Sequence, residues 1–309
     1  ERIKQEDPGF SVMQRIRDIY SKEGFDSIPA EDLAPRFKWV GMYTQRKQGL
    51  DGEKTSTLTN AELQDNYFMM RIRLDGGVVS SAGLRTIGEI SEKYARNTAD
   101  FTDRQNVQLH WIRIEDVPTI WDELAKVGLD SFFGCGDVPR VILGSPVAGI
   151  AKDEIIDGRP AIEKIKKELL PDPEFGNLPR KFKSAISGHS RQDVTHEIQD
   201  LAFIGSEHPE HGPGFDVWVG GGLSTNPMLA QRLGVWVSLD EVPEPERRPG
   251  QLLVETFPRD GRHHMVAYSF EGWNAHQSLG FLITRRMEAQ GLPPKVSIGR
   301  AGALIREAV

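Results

Sequence analysis

Cysteine is almost missing from this chain: Cys135 is the only one in 309 residues. An intramolecular disulfide is therefore excluded, and a reducing compartment, the cytoplasm, is the expectation. The same count excludes a Cys-ligated structural zinc, and an iron–sulfur cluster held by these residues alone, which needs about four thiolates. No apolar run approaches the ~18 residues of a membrane span, so no membrane association is expected. The chain opens Glu1-Arg2-Ile3-Lys4-Gln5, with no initiator methionine and no apolar stretch of the secretory type, so no leader is expected. An excess of positive charge is also lacking. Lys plus Arg number 38 against 45 Asp plus Glu, a net charge of −7. That disfavours a general nucleic-acid binder. Any anion site must be a local basic cluster on an acidic body. No internal repeat of solenoid period is found.

What is present suits a folded protein of about two domains. Apolar residues make up 38% and charged residues 27%, and the mean hydropathy is −0.42. Val12, Ile16, Ile19 and Tyr20 fall at helical spacing, with Gly24 as the stop. Residues 36–43 alternate like a strand, and 44–63 read as a loop. From Tyr67 to Leu74 the period is clearly two: Phe68, Met70, Ile72 and Leu74 face one way, Met69, Arg71 and Arg73 the other. Ser80 or Ser81 caps a helix with Leu84, Ile87, Ile90 and Tyr94 on its buried stripe. A strand over 106–114 sets Asn106, Gln108 and His110 against Val107, Leu109 and Trp111. Pro118 opens another helix, which Gly128 ends.

This order of strand and helix predicts an α+β (α/β) fold. Further on, a loop at Gly136–Arg140 enters a short apolar strand, and 161–170 form a mixed-charge helix. Lys181–Ile186 read as a strand with a basic face. Asp216–Gly222 read as a buried strand running into three glycines, and Pro227–Leu233 as a short helix. The expected divisions are an arm at 1–35, a first domain at 36–130, a second at 131–244, and a tail at 245–309 whose texture changes after Glu244.

Five cations are candidates for chemistry. Arg71 lies on the polar face of its strand. Arg104 precedes the Asn106–Gln108–His110 face. Arg140 follows the Gly-Asp-Val-Pro loop, and Lys181 and Lys183 sit two apart. Each singly has a bland reading as a solvated or edge residue. Their recurrence at strand positions with apolar opposite faces suits a polyanion or small oxyanion. Arg forks onto carboxylate or oxyanion oxygens, and Lys supplies a compact charge and a proton. Gly220, Gly221 and Gly222 permit close backbone approach, and their amides could cradle an anion, with a tight turn as the plainer alternative. His208, His211, His263 and His264 lack metal-ligand spacing, so no metal site is expected. Cys135 reads as an inert buried thiol, or as one that reacts with Tyr43 or another nearby tyrosine if a redox centre is near.

Six segments in order carry a resemblance: RFKWVGMYTQR (36–46), FMMRIRLDGG (68–77), TDRQNVQLHW (102–111), GDVPRVIL (136–143), LPRKFK (178–183) and VWVGGGLS (217–224). Together they resemble the assimilatory sulfite and nitrite reductases, which carry sirohaem coupled to a [4Fe–4S] cluster. Asn226-Pro227-Met228-Leu229-Ala230 points to the ferredoxin-dependent bacterial branch. The resemblance implies a ferredoxin-like half domain at 36–130 and a sirohaem-binding domain at 131–244. It implies six-electron reduction of sulfite to sulfide, or of nitrite to ammonia, with reduced ferredoxin as donor.

By the same resemblance, Arg71, Arg104, Arg140, Lys181 and Lys183 surround sirohaem, with Arg71, Arg140, Lys181 and Lys183 also serving catalysis. Gln108 and His110 line the macrocycle, and Gly220, Gly221 and Gly222 meet its edge. The departure from the family pattern is the absence of its four C-terminal cluster cysteines. The chain is therefore expected to be an N-terminal half, truncated or joined to an unrelated tail and unable to turn over alone. The alternatives are a non-catalytic tetrapyrrole- or anion-binding remnant, and a subunit that pairs with a separate C-terminal half.

Overall fold

The computed structural model describes residues 7, 11–50, 55, 57–170, 181–191, 193–223 and 227–242, and the backbone alone of 60–61, 168–169, 252–259 and 262–268. The chain divides into two compact units, and it passes from the first to the second between Val141 and Ile142.

The first unit opens on a helical rod, α1, built from the turns Ser11–Arg15, Ile16–Tyr20 and Ser21–Glu23, the middle one wound as a π-helix. Gly24, at φ 87°, ends it. Val12, Ile16 and Tyr20 enter the same core as the sheet that follows, so this stretch is a packed layer and not a polar arm. A short helix, α2 (Ala30–Leu33), then places Asp32 beneath α1. Residues Arg36–Lys38 form a 3-10 turn. The strand expected over 36–43 instead begins at Met42, because the Arg36 guanidinium reaches back one helical turn to Asp32 at 2.8 Å.

Strand β1 (Met42–Arg46) pairs antiparallel with β2 (Gln64–Ile72) after a short helix, α3 (Asn60–Leu63). Helix α4 (Ser81–Tyr94) follows, its Gly83 N–H donating to the Ser80 hydroxyl at 3.0 Å. That is the expected cap. Ile87 and Ile90 are buried as expected, but Leu84 is largely exposed. Strands β3 (Asp100–Phe101) and β4 (Val107–Ile112) complete a sheet of order β1-β2-β4-β3, and α5 (Val117–Lys126) closes the unit.

The core face of this sheet carries Phe68, Met70, Ile72, Val107, Leu109 and Ile112. Trp111 is absent from it. The β2–β4 register slips between Phe68 and Met70, and Trp111 sits at φ 58° in the resulting bulge. The bulge restarts the alternation, so Ile112 takes the buried place.

The second unit is a five-stranded mixed sheet of order β5-β6-β7-β8-β9. Strands β5 (Leu143–Gly144), β6 (Ser184–Ser187) and β7 (Leu201–His208) run parallel, with α6 (Arg159–Leu169) between β5 and β6. Strands β8 (Gly212–Val219) and β9 (Gln231–Val237) are antiparallel to their neighbours. Two expectations fail here. Residues 227–233 are not helical, since Met228 bridges to Gly222 and β9 starts at Gln231. Lys181 and Lys183 precede β6 rather than lying on it. At the far ends of β5 and β6, the Ser145 and Ser187 hydroxyls both donate to Asp193, the former at 2.6 Å.

In the tail, β10 (Leu252–Arg259) and β11 (Arg262–Tyr268) form an antiparallel pair. Leu178–Arg180 and Ser224–Asn226 lie outside the described residues, as do the side chains of His263 and His264. No helix among the described residues is long and apolar enough to cross a membrane.

Candidate functional site

In the first unit the pleat of β2 turns Arg71 away from the core. Gln108 of β4 is its cross-strand partner, and Asp100 of β3 is in turn the partner of Gln108. Directly paired residues share a face, so Arg71, Gln108 and Asp100 line one side of the sheet. His110 is on that side too, with Nε2 3.0 Å from Asp100 Oδ2. This face is covered over part of its length. Met69 and Arg73 are buried on it, because the irregular segment 131–141 lies against it. Gly41 and Gly134 allow that approach: a Cβ on Gly41 would sit 2.1 Å from the Ser131 carbonyl, and one on Gly134 would sit 3.0 Å from the Arg71 carbonyl.

The segment brings Cys135 and Arg140 to Arg71. Burial pushes the Cys135 thiol up, while the charges of Arg71, Arg140 and Lys38 and a hydrogen bond from Arg71 pull the other way. Burial lowers the Arg140 guanidinium, and the like charges of Arg71 and Arg73 add to that. Arg104 joins the group from its own loop, its Nη2 donating to the Val141 carbonyl at 2.7 Å. Thus Arg71, Arg104 and Arg140 are gathered in one unit. The Arg71 Nε is buried with no hydrogen-bond partner among the described residues.

Two nearby cations escaped the sequence reading. Arg73 is buried against Asp75, and Lys38 lies within Coulomb reach of Cys135. The Arg-x-Arg-x-Asp spacing of residues 71, 73 and 75 was the available signal for Arg73.

In the second unit the remaining candidates meet at one end of the sheet, around Asp200. The Lys183 amide donates to Asp200 Oδ2 at 2.9 Å, and the Asp200 amide returns a bond to the Lys183 carbonyl at 2.9 Å. Gly220 N–H donates to the Asp200 carbonyl at 3.0 Å. Lys181 stands two residues before Lys183 on the same approach to β6.

The glycine amides are a correction. Gly220, Gly221 and Gly222 donate to the carbonyls of Asp200, Gln199 and Met228, so their N–H groups are spent and do not cradle an anion. Close packing accounts for Gly221, where a Cβ would lie 2.4 Å from the Glu197 carbonyl and 2.6 Å from that of Gln199. No group of three or more His, Cys, Asp or Glu among the described residues is arranged for a metal ion.

Comparison with known proteins places two stretches of the chain in one family. Residues 61–127 match the nitrite/sulfite reductase ferredoxin-like half domain, and residues 135–247 the nitrite and sulphite reductase 4Fe-4S domain. Residues 247–304 match a different model, described as DEAD/H associated, just beyond the change of texture after Glu244. A relative named sulfite reductase [ferredoxin] 1, from Mycolicibacterium paratuberculosis, is 58% identical over 244 residues, covering 79% of this chain and 44% of the relative.

The assimilatory ferredoxin-dependent nitrite reductase of Haloferax mediterranei is 34% identical, over 72% of this chain and 39% of its own length. The solved structure of Mycobacterium tuberculosis NirA superposes with a TM-score of 0.75 at 57% identity, over 79% of this chain and 44% of that one. The chain thus spans less than half the length of these three relatives. Over residues 61–127 and 135–247 it belongs to the nitrite and sulphite reductase family.

Proposed function

We propose that these residues form the sirohaem-holding part of a ferredoxin-dependent sulfite reductase. The observation that carries the reading is the gathering of Arg71, Arg104 and Arg140 along one buried segment of a net-acidic chain. Cations crowded in this way raise one another's energy unless an anion joins them. A tetrapyrrole rimmed with carboxylates, turning over an oxyanion, supplies such partners. The unpartnered Arg71 Nε fits that donor set.

In the first unit Arg71, Arg104 and Arg140 fork onto carboxylates or onto sulfite oxygens. In the second, Lys181 and Lys183 supply ammonium groups suited to holding an anion and delivering protons. Gln108 and His110, on the face of Arg71, line the macrocycle, and the Gly220–Gly222 turn, whose amides are spent within its own unit, donates nothing. Sirohaem, when bound, supplies the iron at which an oxyanion takes up six electrons. Sulfite is preferred to nitrite because the relatives named for sulfite are 57–58% identical and those named for nitrite 32–34%.

A [4Fe–4S] cluster does not fit these residues, since Cys135 is their only thiol. Its ligands must come from outside them, from a C-terminal half on the same or another chain. Reduced ferredoxin is the donor in this reading.

The test is reconstitution with sirohaem. A Soret band should form with the wild-type chain and weaken in the Arg104→Ala, Lys183→Ala double variant. Equal absence of colour in both would refute binding. Sulfite turnover by the purified chain with reduced ferredoxin would refute the need for added cysteines.

A further inference from the structure

Arg73 stands two residues from Arg71 on β2, yet its chemistry is different. Its guanidinium is almost wholly buried, and so is the carboxylate of Asp75. The two form a fork, Nε to Oδ2 at 2.8 Å and Nη2 to Oδ1 at 2.9 Å. The other donors go to main-chain carbonyls. Nη1 donates to Phe133 O at 3.1 Å and Pro139 O at 2.9 Å, and Nη2 to Arg140 O at 3.0 Å. An arginine has five N–H donors, and here every one has an acceptor. Arg73 therefore has nothing left to offer a ligand.

The three carbonyls lie at the two ends of one stretch, Phe133 to Arg140, that has no helix or strand of its own. This stretch carries Cys135 and Arg140 and packs on the backbone of Arg71 through Gly134. One side chain thus ties both ends of the loop to the strand that bears Arg71. Asp75 pairs with Arg73 and so offsets part of the repulsion that its charge adds beside Arg71 and Arg140.

We infer that Arg73, neutralised by Asp75, is a positioning residue that fixes the Phe133–Arg140 loop and so aims Arg140 beside Arg71 at the anion. This rests on the function proposed above. Lysine cannot substitute, because one ammonium nitrogen cannot span a carboxylate and three carbonyls.

The test uses the full chain carrying Arg73→Lys, with Asp75→Asn as a second variant should the first fold poorly. Asp32→Asn, which disturbs the same unit at a different place, is the control. Cys135 labelling by iodoacetamide is timed well below the unfolding midpoint, and sirohaem is titrated by its Soret band. Arg73→Lys or Asp75→Asn should speed labelling at least tenfold and raise half-saturation at least tenfold, while Asp32→Asn lowers only the midpoint.

Labelling at the wild-type rate overturns the inference. So does faster labelling with sirohaem affinity unchanged, which would make Arg73 a purely structural residue. A wild-type chain that gives no Soret band refutes the functional reading, and the positioning role with it, whatever the labelling shows.

Discussion

Arg104 Nη2 lies 2.7 Å from the carbonyl oxygen of Val141, a residue 37 positions further along the chain. The bond ties the loop before β4 to the segment just after Arg140, so Arg104 both orders its surroundings and adds charge to them. A charge-assisted hydrogen bond from another of its donors to a ligand carboxylate is worth about 1.5–3 kcal/mol. Arg104→Ala should therefore weaken sirohaem binding about 10- to 100-fold, read as the half-saturation point of the Soret titration. Arg104→Lys should recover part of the loss through charge alone. Equal affinity in all three proteins would show that Arg104 serves the loop and not the ligand.

Acid stability should be governed by Asp32. Its carboxylate receives Arg15 at 2.6 and 2.9 Å, Arg36 at 2.8 Å and the Tyr20 hydroxyl at 2.5 Å. Burial alone would raise this carboxyl, but those hydrogen bonds outweigh it and hold it below the usual range. A depressed carboxylate stabilises the fold above its unfolded value near 3.8 and loses that contribution as pH falls through the folded one.

Tyr20 works in the opposite sense. Burial and the bond to Asp32 push it up to about 12, so its contribution holds below pH ~10 and is lost on rising towards ~12. Asp32→Asn leaves Arg15 and Arg36 with Asp7 alone, at 2.7 and 3.6 Å, as a shared anion. It should cost about 3–5 kcal/mol at neutral pH, with a flatter acid limb in urea melts at stepped pH. An unchanged limb would remove Asp32 from the acid transition.

A third expectation concerns Asp200, which joins Lys183 to Gly220 through three main-chain hydrogen bonds of 2.9–3.0 Å, one of them to its carboxylate. Of these three, Asp200→Ala removes the bond from the Lys183 amide. The loss should be about 1–3 kcal/mol, and Lys183 should be less well placed for a carboxylate. Urea melts and the Soret titration should therefore both shift. A shift in stability alone would separate Lys183 from ligand binding.

The sequence made the inner faces of β2 and β4 legible, because a period of two over Phe68–Ile72 has no competing helical reading. It could not show the slip at Trp111, where one residue in a left-handed conformation resets the alternation. Residues 227–233 read as a short helix, yet Gln231 onward belongs to β9. Pairing to β8 decides it, and pairing is a tertiary fact.

The five candidate cations stood out by their neighbours, and three of them do meet in one unit. Arg73 did not stand out, since a saturated buried arginine and a solvated one look alike until their acceptors are known. The glycine run misled in the opposite direction. Three N–H groups in a row suggest a cradle only while their own acceptors are unknown.

That correction can be tested at Gly221. Its backbone is not left-handed, so conformational freedom does not explain it; the obstacle is backbone atoms of Glu197 and Gln199 within 2.4–2.8 Å of where a Cβ would sit. These carbonyls, in the turn at His196–Ile198 and just after it, accept from the Ala230 and Gly221 amides and cannot swing aside as a flexible side chain would. Gly221→Ala should therefore destabilise by about 1–3 kcal/mol, as overpacking does. Gly88 is the internal control. It lies within α4, is exposed, and has nothing within 4 Å of where a methyl would sit. Gly88→Ala should stabilise by about 0.5–1 kcal/mol by restricting the unfolded chain. Opposite signs in paired urea melts support close packing as the reason for Gly221. A neutral Gly221→Ala would mean that the turn has room to open, and its three amides would again be available as donors.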